Sequence, residues 1–152
     1  MSQGKVGQDD ITPMLEILCR FTKVNWLKAP IDGVKASEIR IILLLYGNPE
    51  MPNKSKTVSE ISKLLQVTSP TVTQTINQLI QNNCVTRSAD PADKRMTYIT
   101  LTEKGEHIAQ KAIAMHKDFL RGMLNHLGTN QSQQFIQLLH QALEYIESYQ
   151  QK

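Results

Sequence analysis

Cysteine is scarce: Cys19 and Cys84 are the only two, with no CxxC pair and no multi-cysteine framework. That excludes a disulfide-stapled scaffold and suits a reducing compartment. Glycine is equally thin at seven residues, and none forms the Gly-rich loop whose backbone amides cradle a nucleotide phosphate. The longest apolar run, Ile41 to Tyr46, is far too short to cross a bilayer. The polar N-terminus, MSQGKVGQDD, has no signal-peptide core. A soluble, cytoplasmic protein with no membrane partner is expected. Catalytic patterns are missing too, with no G-x-S-x-G, no HExxH and no close-set Ser/His/Asp group. His107, His116, His126 and His140 are scattered and lack the i, i+3 or i, i+4 spacing that puts two metal ligands on one helical face. The chain reads as no enzyme, with no metal and no cofactor.

What is present is a helix-forming composition and an uneven spread of charge. Of 152 residues, 40% are hydrophobic and 20% charged, enough for one domain with an attached dimerisation layer. The formal net charge is +3, and the excess sits in the middle third. Residues 54–104 hold Lys54, Lys56, Lys63, Arg87, Lys94, Arg95 and Lys104 against Glu60, Asp90, Asp93 and Glu103, whereas the segments on either side cancel. A basic segment between neutral ones fits a polyanion-binding unit, because phosphate contacts supply most non-specific affinity for nucleic acid. A solvated surface is the plainer alternative.

Residues 1–11 are expected to be disordered or loosely ordered. Thr12 is placed to cap a first helix, with Pro13 at N1 and Met14, Leu15, Leu18 and Phe21 along one face. Pro30 and Asp32-Gly33 break the pattern. Ser37 can cap a second helix bearing Ile39, Ile42, Leu43 and Tyr46, and 47–56 reads as a loop. Thr57-Val58-Ser59-Glu60 is a capping box opening a short helix over 58–65 that buries Val58, Ile61, Leu64 and Leu65. After the break at Gln66-Val67-Thr68, Thr68 or Ser69 caps another helix, with Pro70 in its first turn, running to about Gln81. Val72, Ile76, Leu79 and Ile80 line one side of it; Ser69, Thr71, Gln74, Thr75 and Gln78 line the other.

Two helices joined by so short a turn are a helix-turn-helix. Cys84–Arg87 and Met96–Leu101 read as strands around the charged loop Ser88–Arg95. A basic hairpin directly after a recognition helix is a wing. Thr102 then caps a helix of about 25 residues with the stripe Ile108, Ala112, Met115, Phe119, Met123 and Leu127. Past Gly128-Thr129-Asn130, a last helix carries Phe135, Leu138, Leu139, Ala142, Leu143, Ile146 and Tyr149. A small winged unit cannot bury all of these stripes, so a second copy of the chain is the expected cover. The expected fold is mainly α with a small β-wing. A winged helix-turn-helix spans 35–104, with its recognition helix about 69–82 and its wing about 84–101, and residues 12–34 and 105–150 supply dimerisation helices.

In this order of elements, and in DKRMTYITLT (Asp93 to Thr102) running on into EKG, the chain resembles the MarR family of bacterial regulators, whose wing carries D-x-R-x(5)-L-T. LLQVTSPTVTQTINQL, residues 64–79, resembles that family's turn and recognition helix, and the resemblance covers about residues 12–150. Many members have Arg where this chain has Gln74, and Gly-Leu where it has Asn83-Cys84. Asn also tolerates a left-handed helix end. The family likeness implies a homodimer on double-stranded DNA, with recognition helices about 34 Å apart reading a pseudo-palindromic operator. It further implies repression as the usual output and release by a small, often aromatic ligand.

On this reading Ser69, Thr71, Thr73, Gln74 and Asn77 are candidates for the major groove, with Gln74 able to read adenine bidentately. Arg95 is the candidate for the minor groove, and the resemblance implies that Asp93 braces it through an ion pair. Lys94, Arg87, Lys63 and Lys56 are candidate phosphate contacts. Met14, Leu18, Trp26, Leu43 and Tyr46 are candidate ligand-pocket linings, with ordinary core as the alternative for each. Cys19 echoes the redox cysteine of the family's organic-peroxide sensors, but no tyrosine precedes Tyr46 in the second helix to activate it. A buried Cys19 acting as a small hydrophobe is the other reading, and Cys84 reads as core. Two alternatives stay open: the same scaffold controlled by Cys19 oxidation or by a metal, and a winged helix used for protein–protein interaction.

Overall fold

Among the described residues the periodic segments resolve, in a computed structural model, into six helices and one hairpin. They are α1 (Gln8–Phe21), α2 (Ala36–Tyr46), α3 (Val58–Leu65), α4 (Ser69–Gln81), β1 (Val85–Ala89), β2 (Thr97–Leu101), α5 (Glu103–Leu127) and α6 (Thr129–Gln150). The structure describes residues 8–24, 27, 29–47, 55–93 and 95–150. The strands pair antiparallel, Val85 opposite Leu101 through Ala89 opposite Thr97. The fold is thus mainly helical with a small wing. Among the described residues no helix is long and apolar enough to cross a membrane.

The core lies where α2 meets α4, β2 and the first half of α5. Ile39, Ile42 and Leu45 of α2, Ile61 of α3, Ile76 and Leu79 of α4, Ile99 of β2 and Ile108 of α5 are fully buried there. Leu27, Ile31 and Val34 join them. Asp32 and Gly33, at φ 49° and 82°, close a two-residue turn across which Ile31 and Val34 exchange backbone hydrogen bonds of 3.0 and 2.9 Å. The core therefore crosses the expected boundary between residues 34 and 35, and Ala109 and Ala112 carry it into α5.

Several local expectations need adjusting. The first helix starts at Gln8, not after Thr12, so residues 8–11 are helical and Pro13 lies inside. The missing Pro13 N–H leaves only the Asp9 carbonyl without its helical donor, and the longer helix adds Ile11 to the Met14–Leu18 stripe. The cap of α2 is Lys35, whose N–H donates to Glu38 Oε2 at 2.6 Å. Ser37 is the second residue of the helix, and Glu38, buried in the first turn, reaches back to accept from the cap's N–H, while the Lys35 ammonium has no lone pair to return the bond. Leu64 is 56% exposed, because α3 has only two turns and turns Ile61 inward with Val58 and Leu65 beside it. β1 continues through Ser88 and Ala89, shortening the loop of the wing.

Outside the winged unit the helices are bare. Ile11, Met14, Leu15, Leu18 and Phe21 of α1 are exposed, as are Ile136, Leu139, Leu143 and Ile146 of α6. α5 and α6 meet at Gly128, where the Ser132 hydroxyl donates to the Leu124 carbonyl at 2.8 Å and fixes the hairpin angle.

Candidate nucleic-acid interface

Hydrogen bonds between residues close in the chain set the geometry of the helix-turn-helix. The Thr57 N–H and hydroxyl both donate to Glu60 Oε2, at 2.7 and 2.9 Å, while the Glu60 N–H donates back to the hydroxyl. These bonds hold the Glu60 carboxyl below its usual range. The turn passes through Gln66 in the left-handed region, φ 54°. The Ser62 hydroxyl locks that turn by donating to the Val67 carbonyl at 2.6 Å. Thr68 then caps α4, accepting from the Thr71 N–H at 3.4 Å. Val72, Ile76 and Leu79 anchor α4 in the core, which turns its opposite face to solvent.

On that face the five expected readers are unequally free. Gln74 is exposed and outermost. The Thr71 hydroxyl shares a 2.8 Å hydrogen bond with Thr68, and Ser69 lies 3.4 Å from the Ser62 hydroxyl. Thr73 is only half exposed. Asn77 Oδ1 accepts from Arg87 Nη2 of β1 at 2.9 Å, which joins a groove candidate to a phosphate candidate. Gln78 is likewise exposed beside Gln74 on this face, where its spacing opposite the buried stripe puts it.

The wing is shaped by carboxylates turned onto its own backbone. Asp90 Oδ1 accepts from the N–H groups of Ala92 and Asp93 at 2.7 and 3.2 Å. Asp93 Oδ1 accepts from the Arg95 N–H at 3.0 Å. Asp93 does brace Arg95, but through the main chain. Among the described residues no ion pair joins Asp93 to the guanidinium, since the amide two residues on lies within easy reach of the short carboxylate. Arg95 is exposed near the tip, while Lys94 and Trp26 lie outside the described residues. A third edge, hidden in the expected loop 47–56, comes from Lys56, which exchanges 3.2 and 2.8 Å backbone hydrogen bonds with Ile99.

Wing and recognition helix are joined by one tight seat. Asn83 takes the left-handed conformation, φ 56°. Against it the start of α5 supplies the Lys104 ammonium to the Asn82 carbonyl, the Thr102 hydroxyl to the Asn83 carbonyl, both at 2.7 Å, and the Thr102 N–H to the Cys84 carbonyl at 3.0 Å. A Cβ on Gly105 would lie 2.1 Å from the Cys84 carbonyl oxygen, so only glycine allows α5 so close. Cys84 is buried, which pushes its thiol pKa up.

The comparisons with known proteins agree with this geometry. The MarR family profile matches residues 32–96. The uncharacterized HTH-type transcriptional regulator YkoM of Bacillus subtilis (strain 168) is 31% identical over 110 residues, which covers 72% of this chain and 68% of YkoM. The chain belongs to the MarR family. YsmB, an uncharacterized HTH-type transcriptional regulator of the same organism, is 36% identical over 67 residues, and the chain spans only 46% of its length. The transcriptional regulator Tm0710 of Thermotoga maritima superposes with a TM-score of 0.69 at 27% identity, covering 95% of this chain and 99% of that one. FabT of Streptococcus pneumoniae, solved in complex with DNA, gives a TM-score of 0.64 at 21% identity over 93% of this chain and 95% of its own. That last likeness shows the fold alone.

Other MarR-type candidates are dispersed. Met14 and Leu18 are exposed on α1, whereas Leu43 and Tyr46 pack against the core from α2, so the expected pocket residues do not meet. Cys19 is exposed on α1 in this chain, not buried, because α1 packs extensively on no other element. Lys63 is exposed at the end of α3. Among the described residues no group of three or more His, Cys, Asp or Glu could hold a metal ion.

Proposed function

We propose that this MarR-family chain is a transcription regulator that binds duplex DNA as a homodimer on a pseudo-palindromic operator, acting as a cytoplasmic repressor. The observation that carries the reading is α4 itself. A helix anchored by Val72, Ile76 and Leu79 presents Gln74, Asn77 and Gln78 to solvent directly beside a hairpin bearing Arg87 and Arg95. Amides at this spacing suit base edges in a major groove, and the hairpin suits an adjacent backbone or minor groove. The DNA complex of FabT, which shares the fold, supports the reading, as do the bare apolar faces of α1 and α6, which a second copy would cover.

Release by a small aromatic ligand follows if the ligand prefers a dimer with wrongly spaced reading helices. The test is selection of duplexes from a random pool, with sequencing, at two salt concentrations. An enriched palindrome with half-sites about ten base pairs apart is expected. Weak, salt-insensitive binding without enrichment would rule the reading out and favour a winged helix that meets a protein. Peroxide treatment of wild type and Cys19→Ser should leave both equally able to bind DNA; loss in wild type alone would make Cys19 the control point.

A further inference from the structure

Between Ser69 and Gln81 the recognition helix has no charged side chain; every polar residue is a hydroxyl or an amide. A helix in a major groove must nonetheless lie between two lines of phosphates, whose neutralisation supplies most of the non-specific affinity. The fold places an arginine on each flank of α4 from a neighbouring element. On one flank Arg87 of β1 reaches Asn77. On the other, Arg40 and Ser37 of α2 face Thr71 and Thr75 of α4 across a crevice of about 80 Å³. At about 100° per residue, Asn77 lies roughly 60° to one side of Gln74 and Thr71 roughly 60° to the other. The two arginines therefore straddle the outermost reader. Arg40 is exposed, and no hydrogen bond or ion pair with a described residue ties it down.

We propose that Arg40 and Arg87 form a two-sided phosphate clamp, Arg40 holding the backbone of one strand and Arg87 that of the other, as α4 enters the groove between them. The proposal rests on the DNA-binding reading and adds a residue outside the basic segment 54–104. A major groove about 12 Å wide is filled by a helix about 10–12 Å across, so side chains immediately beside α4 come up against the strands. Guanidinium suits the task, with a planar fork matched to phosphate oxygens. Arg87 commits Nη2 to Asn77 and keeps its other N–H groups for phosphate. The same bond occupies Asn77 Oδ1 and leaves the Asn77 amide protons as donors toward a base acceptor.

The experiment is fluorescence anisotropy with a mixed-sequence duplex of about 30 base pairs across a salt series, where each phosphate contact contributes about 0.9 to the slope of log K against log salt. Arg40→Gln should flatten that slope by about 0.9 for each protomer bound and weaken binding by the same factor on every sequence. Arg40→Lys should keep most of the slope, and Arg40→Gln with Arg87→Gln should lose both increments additively. Arg121→Gln removes an equal charge from the exposed side of α5, where Arg121 pairs with Asp118, and should leave the slope unchanged. Wild-type slope and affinity in Arg40→Gln would overturn the clamp, and so would an equal loss in Arg121→Gln. Absence of salt-dependent binding by the wild-type protein would instead bring down the DNA reading itself. Unaltered melting of each variant separates a lost contact from a lost fold.

Discussion

The winged unit and the helical ends use the same apolar residues to opposite effect. Every buried hydrophobic residue of the core falls between Leu27 and Ala112. Of the described large hydrophobic residues left exposed, all but Leu64 and Met96 belong to α1 and its following turn, to α5 beyond Ala112, or to α6. One region satisfies its stripes within the chain and gains about 25 cal/mol for each Å² of apolar surface removed from water. The other holds stripes of equal regularity with nothing to cover them. Stability within one chain is thus written in one part of the sequence, and the surface offered to the proposed second copy in the others, joined through the continuous helix α5.

The sharpest way to break the contrast is to charge the bare face. Leu139→Glu with Leu143→Glu should weaken self-association by more than about 100-fold, equivalent to about 3 kcal/mol, because a carboxylate would be buried unpaired. Sedimentation equilibrium would measure it, and amide exchange in α2 and α4 should remain protected. Unchanged association would mean that this face is not the one covered.

Next in size is a pair of glycines in α5. Gly105→Ala should destabilise the winged unit by about 3 kcal/mol in urea unfolding, since the new methyl meets the Cys84 carbonyl at 2.1 Å. Gly122→Ala, with nothing within 4 Å, should stabilise by about 0.5–1 kcal/mol through helix propensity. A loss at Gly122 would place a partner's backbone against it.

Smaller still, Thr57→Ala should cost about 1 kcal/mol by removing the cap of α3. The Glu60 carboxyl is held below its ordinary value of 4.5, first by the Thr57 N–H and then by the Thr57 hydroxyl. The stabilisation it carries is full above the unfolded value and fades as pH falls through the lower folded value. Thr57→Ala keeps the N–H and loses only the hydroxyl, so it should reduce in part the loss of stability below about pH 4.5 that wild type shows in urea titrations. Smallest is Lys111→Ala, which breaks a 2.8 Å exposed pair with Asp32. It should change thermal stability barely at all and only at low salt.

Local signals were read most faithfully. The capping box at Thr57, the Thr68 cap with Pro70 and the Thr102 cap each fix a helix by bonds within four residues, and α3, α4 and α5 follow closely. Asn83 stands at positive φ, 56°, as its side chain allows. What the sequence hid depends on partners distant along the chain. The burial of Leu27, Ile31 and Val34 needs α2 and α5 to be in place, and the Lys56–Ile99 bridge needs a strand more than forty residues away. The Asn77–Arg87 bond required the hairpin to fold back on α4. Asp93 and Arg95 show a different gap: the motif marks the pair, but it is the folded turn that gives the carboxylate to the main chain of Arg95 and not to its guanidinium.

The seat made by Thr102, Lys104 and Gly105 on the Asn82–Cys84 turn gives α5 a mechanical character. A straight helix of 25 residues is about 37 Å long, pinned at one end directly behind the reading helix. Ile108, Ala109 and Ala112 bury its first half in the core, so the helix is fixed to the winged unit over more than two turns. A rotation of that unit by about 5° would carry the far end of α5, where the bare faces lie, through roughly 3 Å. In the proposed dimer, displacements no larger than a side chain at that end would therefore re-aim α4.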